Sequence, residues 1–242
     1  MNTYRPSQLS MPAGFTYLDL VSPSIQTQIR YSTDFNFVGK IVDGYMGSRV
    51  ICTNELANAL DEVEKEIQKD GYHLVIYDTY RPQKAVDNFV VWGEDVADIK
   101  MKPEFYPHEK KADVFIDGYI ATKSGHTRGS TVDLTIISKQ AKLVFPPVQS
   151  HRIIKRENGT IAEIPYLNDG TVDMFSSFDL FDEVSHGLYS AIPEEAINNR
   201  LYLKNVMEKH GFIALTEEWW HLTLSNEPFP QTYFDFDVRD NL

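Results

Sequence analysis

The sequence predicts an α+β fold in a single domain, with a central, mainly antiparallel sheet and flanking helices. Three observations predict it. Apolar periodicity switches between helical and alternating patterns along the chain. The strand-like runs are grouped between a few helical ones instead of alternating with them regularly. No Pro-, Gly- or Ser-rich tract marks a linker, and 242 residues suit one large domain spanning 1–242.

Residues 1–14 hold Pro6, Pro12 and Gly14 and few large apolar groups, an irregular lead-in. The clearest helix is 53–69, with Leu56, Leu60, Val63 and Ile67 on one face. Thr53 or Asn54 can cap its start, and Gly71 follows its end. Tyr72-His73-Leu74-Val75-Ile76-Tyr77 is a β-prone run. Arg81-Pro82 then breaks the pattern, and 83–92 resumes a helical one, with Pro82 suited to the first turn. Residues 93–122 have no clear period. Residues 131–137 are a strong strand candidate, which puts Asp133 on a strand. Residues 139–172 contain Pro146-Pro147, Asn158-Gly159 and Asp169-Gly170. They read as an insertion decorating the core, with Asn158-Gly159 able to close a hairpin. A helix at 194–210 ends before Gly211, strands follow at 212–215 and 219–224, and 225–242 is an aromatic, Pro-containing tail packed over the surface.

An apolar fraction of 42% and a charged fraction of 24% are ordinary for a globular chain. The net charge of −12 argues against nucleic acid or an anionic membrane surface as partner, because both would repel it. No apolar run approaches the roughly 20 residues that span a bilayer. Met1-Asn2-Thr3-Tyr4-Arg5-Pro6 lacks a basic-then-apolar signal pattern. A cytoplasmic protein is the expectation, with a mature exported form that has lost its signal as the alternative. Cys52 is the only cysteine, so an intrachain disulfide and a thiolate-rich zinc module are both ruled out.

Chemistry concentrates in two motifs. Ser124-Gly125-His126-Thr127-Arg128-Gly129-Ser130-Thr131-Val132-Asp133 and Glu218-Trp219-Trp220-His221 together offer two imidazoles, one carboxylate able to ligate and one left over. Three protein ligands, an open position and a nearby base are the inventory of a catalytic zinc site. Blander readings compete. A histidine beside a strand is more often a hydrogen-bonded structural residue than a ligand. Asp133, between Val132 and Leu134, needs a partner in a strand core, and an arginine would serve as well as a metal. His73, His108, His151, His186 and His210 fall in no such pattern. Positions i and i+3 of a straight strand point to opposite faces, so Glu218 shares a site with His221 only if it lies in a bend before the strand. Composition does not choose between Glu217 and Glu218.

At these residues the sequence resembles the VanX-type D-alanyl-D-alanine dipeptidases. These are zinc enzymes of a fold group that includes D-Ala-D-Ala carboxypeptidases, lysostaphin-type endopeptidases and the hedgehog signalling domain. The S-x-H-x-x-G-x-x-x-D motif falls on Ser124, His126, Gly129 and Asp133. The E-W-W-H motif falls on Glu218 to His221 and selects Glu218, and Y-R-P falls on Tyr80, Arg81 and Pro82. Further matches run through Gly14-Phe15-Thr16-Tyr17-Leu18-Asp19, Val42-Asp43-Gly44-Tyr45, Ser176-Ser177-Phe178-Asp179 and Tyr233-Phe234-Asp235-Phe236. Each motif is weak alone; the ordered set is specific. The chain departs from the family in a longer 139–172 connection, in Gly125 where some members have Ser, and in Phe175 where Gly is common.

The resemblance implies one Zn²⁺ per chain held by His126, Asp133 and His221. It implies Glu218 as general base and then acid, and Arg81 as stabiliser of the oxyanion. Asp179 is implied as partner of the substrate's ammonium, with Ser124 and Tyr31 lining the same cavity. The implied reaction is hydrolysis of D-alanyl-D-alanine to two D-alanines, and the implied partner is a small dipeptide. Two rivals share the metal motif: a peptidoglycan D,D-carboxypeptidase or endopeptidase, and a non-catalytic zinc-binding module. The aromatic tail permits a homodimer.

Overall fold

The computed structural model describes residues 10–114 and 122–242. The start of the irregular lead-in and part of the stretch without a clear period lie outside them. In chain order the strands are β1 (Phe15–Tyr17), β2 (Gln26–Thr27), β3 (Ile51–Thr53), β4 (Tyr72–Asp78), β5 (Thr131–Ser138), β6 (Val148–Lys155), β7 (Ile161–Asn168), β8 (Phe212–Ala214) and β9 (His221–Leu224). The α-helices are α1 (Asn54–Ile67), α2 (Gln83–Glu94), the short α3 (Lys102–Phe105) and α4 (Glu194–Lys209). The architecture is α+β.

The main sheet has the order β2-β4-β5-β9-β8. Only the β2–β4 pair is parallel; β4–β5, β5–β9 and β8–β9 are antiparallel. On central β5 every residue from Thr131 to Ile137 is buried, so both faces are covered. Alternation turns Val132, Leu134 and Ile136 to one face and Asp133 and Thr135 to the other. An apolar face can be buried without cost, whereas Asp133 and Thr135 need polar company.

Local signals explain the helix positions. The Thr53 side chain accepts from Leu56 N–H at 3.2 Å and caps α1. The helix buries Leu56, Leu60, Val63 and Ile67, the face marked by periodicity. Pro82 stands just ahead of α2 in extended conformation, as its cap rather than inside its first turn. Phe89 and Trp92 of this helix interlock with Tyr31 and Phe37 as a ring cluster with centroids about 5 Å apart.

Two expectations change in detail. The strand expected at 219–224 begins only at His221. Trp219 and Trp220 form a turn in which His221 N–H donates to the Glu218 carbonyl at 3.3 Å. The aromatic tail runs mostly along the surface, as expected, but its segment 236–238 is buried. Phe236 is buried and stacks on Tyr80 at 4.1 Å, Phe234 packs edge-on against Phe15, and Val238 bridges to Tyr45. Within 139–172, β6 and β7 pair with each other as a separate two-stranded sheet, closed around Asn158-Gly159 with Gly159 at φ +85°. No helix among the described residues is long and apolar enough to cross a membrane.

Candidate active site

The site grows out of the register of the three central strands. Asp133 on β5 is the direct partner of His221 on β9 and of Asp78 at the end of β4. One row of the sheet therefore carries three titratable side chains. His126 reaches the same row from a single 3₁₀ turn, Gly125–Arg128, just ahead of β5. Ser124 caps that turn, its Oγ accepting from His126 N–H at 3.2 Å. Gly129 ends it at φ +82°, where a Cβ would lie 2.3 Å from the Phe15 ring, so only glycine fits. The turn is tied to the Tyr-Arg-Pro element by Arg81 N–H donating to the His126 carbonyl.

His126 Nδ1 lies 2.7 Å from the Thr79 carbonyl and donates to it, which fixes the tautomer and turns the Nε2 lone pair to the cavity. Nε2 is 3.2 Å from Asp133 Oδ2 and 3.4 Å from His221 Nδ1, and His221 Nδ1 is 3.1 Å from Asp133 Oδ1. The potential ligand atoms of His126, Asp133 and His221 all lie within 4.8 Å of one another. Asp133 Oδ1 is fully buried and makes no well-aligned hydrogen bond, its neighbour being His221 Nδ1 at 3.1 Å. A buried carboxylate oxygen so poorly satisfied between two imidazoles is costly unless a cation completes it, so the donor set fits a divalent ion. Burial opposes the charge on Asp133, but the two imidazoles outweigh it and hold the carboxyl below its usual range. His221 shows the reverse: burial would lower it, while Asp133 and Glu218 hold it up to about 10.

Glu218 comes from the turn before β9, and its Oε2 is 3.3 Å from His221 Nδ1. The bend that the spacing demanded is present. Arg81 donates through Nε to Asp78 at 2.9 Å, which sets the guanidinium plane and leaves Nη2 3.4 Å from Asp133. The rings of Tyr31 and Phe89 flank its charge at 4.9 and 5.2 Å. Asp78 itself accepts from Tyr45 OH at 2.7 Å and lies 3.7 Å from His126 Nδ1. Sequence reasoning passed over Asp78; a carboxylate ending an apolar strand just ahead of Tyr80-Arg81-Pro82 was the available signal.

Asp179 lines the same cavity, only 4% exposed, and accepts from Tyr31 OH at 2.9 Å. Burial keeps the Tyr31 hydroxyl protonated and donating. Burial, reinforced by the Asp133 and Glu218 charges, raises the Asp179 carboxyl well above its ordinary value against the opposing pull of Arg81 and Tyr31. Asp179 has φ +62° and Phe175 φ +70°. A non-glycine residue there costs on the order of 1 kcal/mol or more, so neighbouring contacts must hold both.

His126, Asp133, His221, Glu218, Arg81, Asp179, Tyr31 and Ser124 all line one cavity of about 230 Å³. Phe37, Phe89, Phe181 and Leu215 supply its apolar wall, a contribution that no motif marked. Glu217 is half-buried outside it. The Ser124 hydroxyl reaches the lining but is engaged by the His126 amide, so the turn is its main work. Three of the remaining histidines pair with carboxylates elsewhere: His73 with Glu64, His108 with Asp182 and His210 with Glu66.

Comparison with known proteins covers almost the whole chain. A D-Ala-D-Ala dipeptidase from Enterococcus faecium is 35% identical over 95% of this chain and all of its own length. One from Enterococcus faecalis is 36% identical over 94% of this chain and all of its own. A solved VanY D,D-pentapeptidase in complex with Zn(II) covers 75% of this chain and 77% of its own at 13% identity, with a TM-score of 0.38, a superposition too loose to bear on the site. The family model for D-Ala-D-Ala dipeptidases matches residues 11–145 and 164–239. On that match, and on relatives aligned along their full length, the chain belongs to the D-Ala-D-Ala dipeptidase family.

Proposed function

We propose that this protein is a zinc-dependent dipeptidase that hydrolyses D-alanyl-D-alanine to two D-alanines. The observation that carries the reading is the convergence of His126, Asp133 and His221 in the same small cavity as Glu218, Arg81 and Asp179. His126 Nε2, an Asp133 oxygen and His221 Nδ1 would hold the ion. When bound, it supplies Lewis acidity to the scissile carbonyl and acidifies water at neutral pH.

The chain's own residues do the rest. Glu218, beside His221, takes a proton from the attacking water and passes it to the leaving amine. Arg81, locked by Asp78, offers guanidinium donors to the oxygen on which negative charge develops. Asp179 receives the substrate's ammonium, and that incoming charge favours ionisation of the raised carboxyl. Tyr31 holds its oxygens in place. The cavity is smaller than the roughly 300–1,000 Å³ typical of drug-sized ligands, which suits a dipeptide. A longer peptide presents an amide in place of the ammonium and leaves Asp179 buried without its partner, at about 1–3 kcal/mol. That cost favours the dipeptidase over a carboxypeptidase or endopeptidase acting on wall stem peptides. Glu218 and Arg81 favour an enzyme over a non-catalytic zinc module, which needs neither.

The test is zinc content measured together with D-alanine release, with and without a chelator, on D-Ala-D-Ala and on a pentapeptide stem. Stoichiometric zinc and chelator-sensitive release from the dipeptide alone are expected. Faster release from the pentapeptide would favour the carboxypeptidase, and a zinc-replete protein inert on both would favour the binding module. We further propose that 1–242 acts as one domain and that β6 and β7 are an addition to it.

A further inference from the structure

The loop that carries Asp179 is gripped from outside by the β6–β7 hairpin. Family matching stops at residue 145 and resumes at 164, so β6, the turn and the start of β7 lie outside it. Arg152, on β6, donates through both Nη atoms to Asp173 at 2.7 Å and through Nη1 to the Phe175 carbonyl at 2.9 Å. Its guanidinium lies over the rings of Tyr166 and Phe175. Phe175 is the positive-φ residue that opens the loop. Arg156, at the hairpin turn, forks onto the buried Asp182 at 2.8 and 2.6 Å and reaches Glu183 at 2.8 Å. Asp182 also caps the 3₁₀ turn that closes the loop, accepting from Val184 N–H.

Between these two grips, Ile154 and Ile164 of the hairpin bury against Leu180 and Val184 in an apolar cluster separate from the main core. Leu180 directly follows Asp179. On the inner side Arg200 of α4 binds the carbonyls of Met174, Val184 and His186. Arg200 thus ties the two ends of the loop together, while the hairpin closes its outer face and flanks Asp179 on both sides in sequence.

We propose that the hairpin is a positioning brace for Asp179, with Arg152 and Arg156 as its grips, and that it sets how tightly the site takes a free ammonium. The proposal rests on the reading of Asp179 given above. Bidentate arginine–carboxylate pairs fix direction as well as distance, which is what a strained loop bearing a recognition carboxylate requires.

The full-length, zinc-loaded protein is compared with D179N and with R152Q, R156Q and R152Q/R156Q, each made both with and without D179N. KM and kcat are measured on D-Ala-D-Ala, and Kd for the same dipeptide is measured in the E218A background. The expected result is a KM and Kd raised about tenfold or more in the double variant, with a smaller fall in kcat, because the loss is of placement. R156K, which keeps the charge but not the fork, should fall in between. In the D179N background the arginine substitutions should add nothing. An unchanged KM and Kd in R152Q/R156Q, while D179N alone raises both, would overturn the brace and leave the Asp179 reading intact. Equal effects with and without D179N would likewise overturn it. A D179N protein with unchanged KM and Kd would instead sink the Asp179 reading, and the brace with it. Should the double variant fail to fold, R156K decides: a KM equal to the parent's overturns the proposal.

Discussion

At one end of the cavity, Asp133 and His221 face each other across paired strands, and a glycine-closed turn sets His126 against them. At its loop end, Asp179 sits on a loop with two positive-φ residues, held by guanidinium groups from α4 and from a hairpin that lies mostly outside the family match. The first end takes its geometry from backbone hydrogen bonds that cannot shift by one residue without turning every side chain over. The second takes its geometry from side-chain ion pairs, which can be altered one at a time. Within the proposed mechanism, chemistry is therefore tied to the sheet, and substrate selection to the part of the fold that can change without disturbing it.

This contrast is open to attack from either side. The largest expected effect is at the sheet end: Glu218→Ala should retain zinc and lose roughly 10³-fold in turnover, because base and acid roles disappear together. Metal analysis beside kcat checks it, and near-normal turnover would remove Glu218 from the mechanism. Arg81→Ala should depress kcat by roughly 10²-fold while raising KM less. The opposite split would move Arg81 to the binding side and blur the division between the two ends.

The loop end should answer in binding. Asp179→Asn should raise KM for D-Ala-D-Ala about tenfold or more and narrow the preference for a free ammonium over an N-acetylated dipeptide, because the buried carboxylate is the cation's partner. A fall in kcat at unchanged KM would contradict it.

The smallest effect is on stability. The folded-state pKa of Asp179 is raised by burial and by the Asp133 and Glu218 charges. Its contribution is therefore fully present below the unfolded value of about 3.9 and is lost as pH rises through the folded one. Asp179→Asn removes that loss. Metal-free wild type and variant should melt nearly alike in acid, and the variant should melt higher at neutral pH, by on the order of 2–4 °C. Thermal melts across pH check the sign; a gap that stays constant with pH would mean that Asp179 is not the group responsible.

Much of the site was legible in the chain because its chemistry is carried by rare residue types in short runs. His126, Asp133 and His221 stand out whatever the fold, Glu218 is selected only by the E-W-W-H resemblance, and the α1 face and β5 follow from periodicity and β-propensity. Two things were not legible in composition and spacing alone. Glu217 and Glu218 have the same composition and differ only in the turn at Trp219 and Trp220, whose rings are anchored at Ser176 and Phe178, far away in sequence. Asp78, one residue past the strand expected at 72–77, was passed over, because only register sets it beside Asp133.

The sequence by itself determined which groups could do the chemistry, the helix and strand periods, and the exclusion of thiolate ligation, because these depend on residue identity and local spacing alone. Tertiary structure decided that Phe236 of the tail turns inward, that Glu218 bends back to His221, and that Arg152 and Arg156 clamp the Asp179 loop. Each of these contacts joins residues with no local relationship, and its free energy exists only once the sheet and hairpin have brought them together.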